Sequence, residues 1–78
     1  MVVKVIVMTY QFDVIIEQDA EGYFVASVPA LPGCHTQAKS LDVLMERIRE
    51  AIELWLEVES PPPEVLNFIG VQRVTVTA

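Results

Sequence analysis

The sequence is poor in the residues from which covalent or metal chemistry is built. It holds one cysteine and one histidine in 78 residues, which excludes an internal disulfide and leaves no multi-cysteine zinc spacing. Its three glycines, Gly22, Gly33 and Gly70, are scattered, so no glycine-rich loop is present to cradle a phosphate. Cations are scarce too: five Lys and Arg stand against eleven Asp and Glu, for a net charge of −6. A chain of that sign repels phosphate backbones, and direct nucleic-acid binding is not expected. The apolar opening stretch, residues 1–8, is interrupted by Lys4 and is far shorter than the roughly 20 residues of a membrane-spanning helix. It also lacks the basic start and small-residue cleavage site of a signal peptide. Val2, Val3, Val5, Ile6 and Val7 are β-branched and favour a strand. The expectation is a cytoplasmic protein that does not enter a membrane.

What is abundant is apolar side chain, 53% of the chain, and this argues against intrinsic disorder. The length allows one domain, residues 1–78. A domain this small buries only about 60% of its unfolded surface, and neither disulfide nor metal is available to staple it. The sequence therefore predicts association of copies, as a dimer or tetramer.

Along the chain, residues 2–17 are β-rich. From Tyr10 the pattern alternates, with Tyr10, Phe12, Val14 and Ile16 on one face and Gln11, Asp13, Ile15 and Glu17 on the other. Residues 18–22, Gln-Asp-Ala-Glu-Gly, form a tight hairpin loop in which Gly22 is free to take a positive φ. Alternation resumes over residues 23–28, starting at Tyr23, and the two strands should pair antiparallel. Pro29 and Pro32 lack the ladder's donor hydrogen, so residues 29–33 are a bend, with Leu31 as its anchor. Residues 34–38 fit a short third strand. Ser40 is a good N-cap and Asp42 suits the first helical turn. Leu41, Leu44, Met45, Ile48, Ala51, Ile52 and Trp55 then make one helical stripe, predicting a helix from 41 to 57 or 58. Ser60 and the three prolines after it end that helix in a stiff connector, and residues 71–77 read as a last strand. The order is β-β-β-α-β, an α+β fold with a small antiparallel sheet and one helix on one face.

Few residues invite a chemical reading. Cys34 and His35 are adjacent, but neighbours in a strand point to opposite faces and cannot act as a couple; Cys34 reads as a packed residue and His35 as a rim residue. Asp13 and Glu17 share a face but lie roughly 13 Å apart in an extended chain, too far to share an ion. No catalytic residue, metal site or cofactor is expected, and the chain reads as a binding module. Its most informative charges are Glu46, Glu50, Glu53 and Glu57, at 4, 3, 4 spacing on the helix face away from Ile48 and Ile52. Such like-charged neighbours repel mildly, as fits a solvated face or a surface for a basic partner. Val43, Leu54 and Leu56 widen the apolar stripe beyond one sheet face. They cover either the connector and last strand or another subunit.

The stretch Val14-Ile15-Ile16-Glu17-Gln18-Asp19, then Glu21-Gly22-Tyr23-Phe24-Val25-Ala26, then residues 28–37 with Leu31-Pro32-Gly33-Cys34 followed by Thr36-Gln37, and finally Ser40-Leu41 and residues 51–56, resembles the HicB family of antitoxins over residues 10–57. The resemblance implies a partial RNase H-like fold: three antiparallel strands, a helix and a returning strand. It implies a non-enzymatic partner of a HicA-type toxin, a small basic RNA-cleaving protein whose cationic surface an acidic antitoxin occludes. On that basis Asp19, Glu21, Glu46, Glu50, Glu53 and Glu57 are the expected partner contacts. Gly22, Tyr23, Pro32 and Gly33 would shape the motif, with Cys34 packed beside them and Trp55 anchoring the helix. Many such proteins carry a C-terminal operator-binding domain; here the sequence ends at Ala78, and none is expected. The competing reading is an orphan homo-oligomeric scaffold or small-ligand module without a toxin.

Overall fold

A computed structural model of the chain describes residues 9–59 and 67–78. The β-branched stretch at residues 1–8 and the proline connector lie outside the described residues. Three strands and one helix follow in order: β1 (Ile15–Gln18), β2 (Phe24–Ser27), β3 (His35–Ala38) and α1 (Leu41–Val58). The strands form one antiparallel sheet in the order β1-β2-β3, an α+β arrangement with the helix following the sheet. Ile16 stands opposite Ala26, and Ala26 opposite Thr36. The face bearing Phe12, Val14 and Ile16 is thus also the face of Phe24, Ala26 and Ala38.

The first hairpin owes its register to Asp19. Its Oδ1 accepts from the backbone N–H groups of Glu21 and Tyr23, both at 2.9 Å. Its own N–H donates to the Tyr23 carbonyl at 2.8 Å. This is a side chain standing in for a backbone turn. Gly22 closes the loop at φ 91, a left-handed conformation that costs a residue with a Cβ. The second connection is a knot of three backbone bonds: Val28 N–H to the Cys34 carbonyl, Leu31 N–H to Val28, and Cys34 N–H to Leu31, each at 3.0 Å. Gly33, at φ 80, turns the chain back into β3. Neither proline is asked for a donor it does not have, and Leu31 is driven inward to full burial.

Ser40 caps α1: its Oγ accepts from the Val43 N–H at 3.3 Å, with Asp42 in the first turn. Leu44 and Ile48 are fully buried against Ala26, Val28, Leu31, Cys34 and Ala38, and Ala51, Ile52 and Trp55 pack partly onto that cluster. Two polar ties fix the helix. Trp55 Nε1–H donates to the Pro32 carbonyl at 3.0 Å, and Arg47 Nη1–H to the Gln37 carbonyl at 2.8 Å. Both reach the β3 side, and the helix accordingly lies over β3 and β2 without touching β1.

Two strand expectations are corrected. Among the described residues of the β-rich stretch, only Ile15–Gln18 form β1, and residues 9–14 are not part of it. Residues 67–78 form no strand and are exposed throughout; their alternation finds no sheet edge among the described residues.

Candidate functional site

The helix places its acids by simple rotation. At 100° per residue, Glu46, Glu50, Glu53 and Glu57 fall on the side of α1 opposite Leu44, Ile48, Ala51 and Trp55. All four are exposed, and together they form a ridge along the outside of the molecule. The two arginines of the helix are turned away from its crest. Arg47 is held by the Gln37 carbonyl, and Arg49 lines a cleft on the other flank. No basic residue lies in the last turn, where one would complement the helix dipole, so the negative ends of ridge and helix add.

The hairpin acids stand apart from this ridge. Asp19 and Glu21 are both exposed at the loop between β1 and β2, but Asp19 spends one carboxylate oxygen on holding that loop. Close to the helix start, Lys39 sits with Nζ 5.5 Å from the centroid of the Tyr23 ring, a cation–π contact that ties down a further cation. Cys34 and His35 diverge: Cys34 is buried in the core, His35 is exposed on β3. Burial pushes the Cys34 thiol above its ordinary value, which keeps it protonated and unreactive at neutral pH.

Sequence reasoning missed the cleft. Because α1 does not reach β1, an open groove of about 760 Å³ runs between residues 10–14 and the flank of the helix formed by Met45, Arg49, Ile52, Glu53 and Leu56. Tyr10 and Phe12 stack on its sheet side at 6.2 Å between centroids. Ile16, on the same face as Phe12 and Val14, stays 44% exposed beyond the reach of the helix. The signal was present in part: the alternation put Tyr10, Phe12, Val14 and Ile16 on one face, but the sideways placement of the helix depends on the Trp55 and Arg47 ties.

On the other flank, Val43, Leu54 and Val58 are exposed, Leu54 at 61% and Val58 at 73%. No helix among the described residues is long and apolar enough to cross a membrane.

Residues 12–67 match the family described as HicB_like antitoxin of bacterial toxin-antitoxin system. Among curated proteins, a UPF0150 protein of Archaeoglobus fulgidus is 61% identical over 66 residues, covering 85% of this chain and 94% of that protein. A UPF0150 protein of Synechocystis is 44% identical over the same shares of each chain. One from Thermoplasma acidophilum is 38% identical, covering 87% of this chain and 99% of that protein.

Proposed function

Because the chain belongs to the HicB-like antitoxin family of bacterial toxin–antitoxin systems, we propose that it is a non-enzymatic antitoxin that binds a small basic HicA-type toxin and covers its cationic RNA-binding surface. The observation that supports this is the ridge of Glu46, Glu50, Glu53 and Glu57, exposed along one helix face with the neighbouring arginines turned aside. An RNA-cleaving protein must present positive charge to phosphates. A rigid helix carrying a row of carboxylates offers that surface a competing array, held at fixed spacing by the helix itself. Glu21, at the exposed hairpin tip, extends the acidic surface, and Asp19 positions that tip. The protein acts in the cytoplasm as one domain, without cofactor and without contacting nucleic acid. Copies of it associate, since so small a core leaves Leu54, Val58, Ile16 and the apolar tail uncovered.

The test is titration calorimetry against a small basic HicA-type toxin, at low and high salt. Binding should weaken as salt rises, since the contact is between exposed charges. The double variant Glu50→Lys/Glu53→Lys should lose about tenfold or more in affinity, from two lost attractions and two new repulsions. Glu59→Lys, at the helix end beyond the crest, should lose far less. Equal affinity of the ridge variant and the natural chain would show that the ridge is not the toxin's site.

A further inference from the structure

We propose that Arg47 plugs the outer edge of β3 and keeps other strands, a second copy's among them, from adding to it. The pairing of the sheet defines that edge. The Asp19 N–H bonds the Tyr23 carbonyl, and Glu17 and Ile15 stand opposite Val25 and Ser27 in the same register, so the backbone groups of Val25 and Ser27 turn toward β1. Those of Phe24, Ala26 and Val28 turn the other way, as the bond from the Val28 N–H to the Cys34 carbonyl shows. They meet Ala38 and Thr36 on β3, which leaves the N–H and C=O groups of His35 and Gln37 facing outward. β3 is the last strand on this side of the sheet among the described residues, and such an outward row is a template for a further strand. Arg47 reaches into it: its Nη1–H donates to the outward Gln37 carbonyl at 2.8 Å. The guanidinium thus occupies the place that the N–H of an added strand would need. The helix flank beside this edge is apolar. At 100° per residue, Val43, Leu54 and Val58 all fall within about 40° of Arg47, and they are exposed, Leu54 at 61% and Val58 at 73%. An added strand would find hydrogen bonds on β3 and apolar cover on this stripe. A cation fixed between the two opposes both. The same bond also ties the helix to the sheet, and the two roles separate by experiment.

The experiment uses the full chain. Sedimentation over a concentration series gives its size, and hydrogen exchange follows the His35 and Gln37 amides. Arg47→Ala should associate at concentrations about tenfold or more below those the natural chain needs, with both amides gaining protection as concentration rises. Charge alone predicts the opposite, because the net charge of −6 becomes more negative and copies repel more. Arg47 is exposed and alanine suits a helix, so the helical circular dichroism should be kept; Arg47→Met, which retains the stem and loses the charge, should behave alike. Proline at position 37 removes only an outward N–H and blocks an edge without breaking the ladder, so Arg47→Ala/Gln37→Pro should return to the size of the natural chain. Trp55→Phe, which loosens the other tie of the helix, should not associate more than the natural chain does. If neither Arg47 variant associates more readily, or if the natural chain's own His35 and Gln37 amides gain protection with concentration, Arg47 is no plug. If Trp55→Phe associates as Arg47→Ala does, or if the proline fails to reverse the effect, a loosened helix is the cause and the proposal is overturned.

Discussion

Replacing Trp55 by Phe removes one hydrogen bond and keeps most of one ring. The indole N–H donates to the Pro32 carbonyl at 3.0 Å, joining the last turn of α1 to the proline bend. Pro32 is exposed, so its carbonyl recovers water when the donor is lost, and the cost is a net hydrogen bond, about 0.5–1.5 kcal/mol. Trp55→Ala also removes the packing of a half-buried ring on the core cluster. For a fully buried aromatic that costs about 3–5 kcal/mol; half-burial brings it to roughly 2–3 kcal/mol. A chain of 78 residues has about 4–12 kcal/mol in all, so the two variants are separable and neither need unfold the protein. Urea unfolding followed by circular dichroism is the assay, since Trp55 is the only tryptophan and both variants lose its fluorescence. With a slope of about 1 kcal/mol/M for so small a domain, the midpoint should fall by about 1 M for Phe and 2 M or more for Ala. Protein concentration must be held fixed, because any association of copies would add to apparent stability. If the Phe variant unfolds with the natural chain, the bond to Pro32 contributes nothing. If it falls as far as Ala, ring packing is not the anchor.

Ile48→Ala should be the most damaging of these changes, losing about 2–5 kcal/mol from a fully buried site, seen as a large drop in melting temperature. Gly33→Ala should cost about 1–2 kcal/mol from the left-handed backbone alone, since nothing lies within 4 Å of the added Cβ; Gly33→Asn should cost less in the same melt. Asp19→Ala should destabilise the hairpin by about 1–2 kcal/mol, and Asp19→Asn, which keeps an accepting oxygen, should recover most of it. The raised thiol value of Cys34 makes the folded state hold its proton longer than the unfolded state does. That stability is complete below the thiol's ordinary value and is lost as pH rises from there through the raised one. Cys34→Ala should flatten this part of the stability–pH curve, and the natural thiol should react with a disulfide reagent only as fast as the protein opens.

The helix was legible to within a residue because every signal for it is local: Ser40 at the cap, Asp42 behind it and an apolar stripe at helical spacing. The hairpin was legible for the same reason, with Gly22 marking the turn. The role of Asp19 was not separated from its charge, although an Asp opening a turn is a signature of side-chain-to-backbone capping. What failed was non-local. Residues 10–14 alternate as well as any strand, but β2 stops at the Pro29 bend and its ladder with β1 covers only Ile15–Gln18. Residues 71–77 alternate too and form no strand among the described residues, because an edge strand is stabilised by its neighbour and not by its own pattern. The cleft was invisible because it depends on which side of the sheet the helix favours, a matter of the Trp55 and Arg47 ties.

The ridge and the cleft take different sides of the helix. Seen down its axis, α1 gives one side to the core, the opposite side to the four glutamates and one flank to the cleft. Glu53 stands at the border, lining the cleft while belonging to the ridge. Whatever fills the cleft would cover Ile52 and Leu56 but leave Glu46, Glu50 and Glu57 open, so it and a partner of the ridge would meet only at Glu53. The two would be coupled through stability. The core is built on small side chains such as Ala26, Cys34 and Ala38, and it leaves the single chain marginal. Whatever binds only the folded form then stabilises it in proportion to its concentration over its dissociation constant. Filling the cleft would brace the flank from which Glu53 projects, so that a partner of the ridge would meet a carboxylate row already ordered.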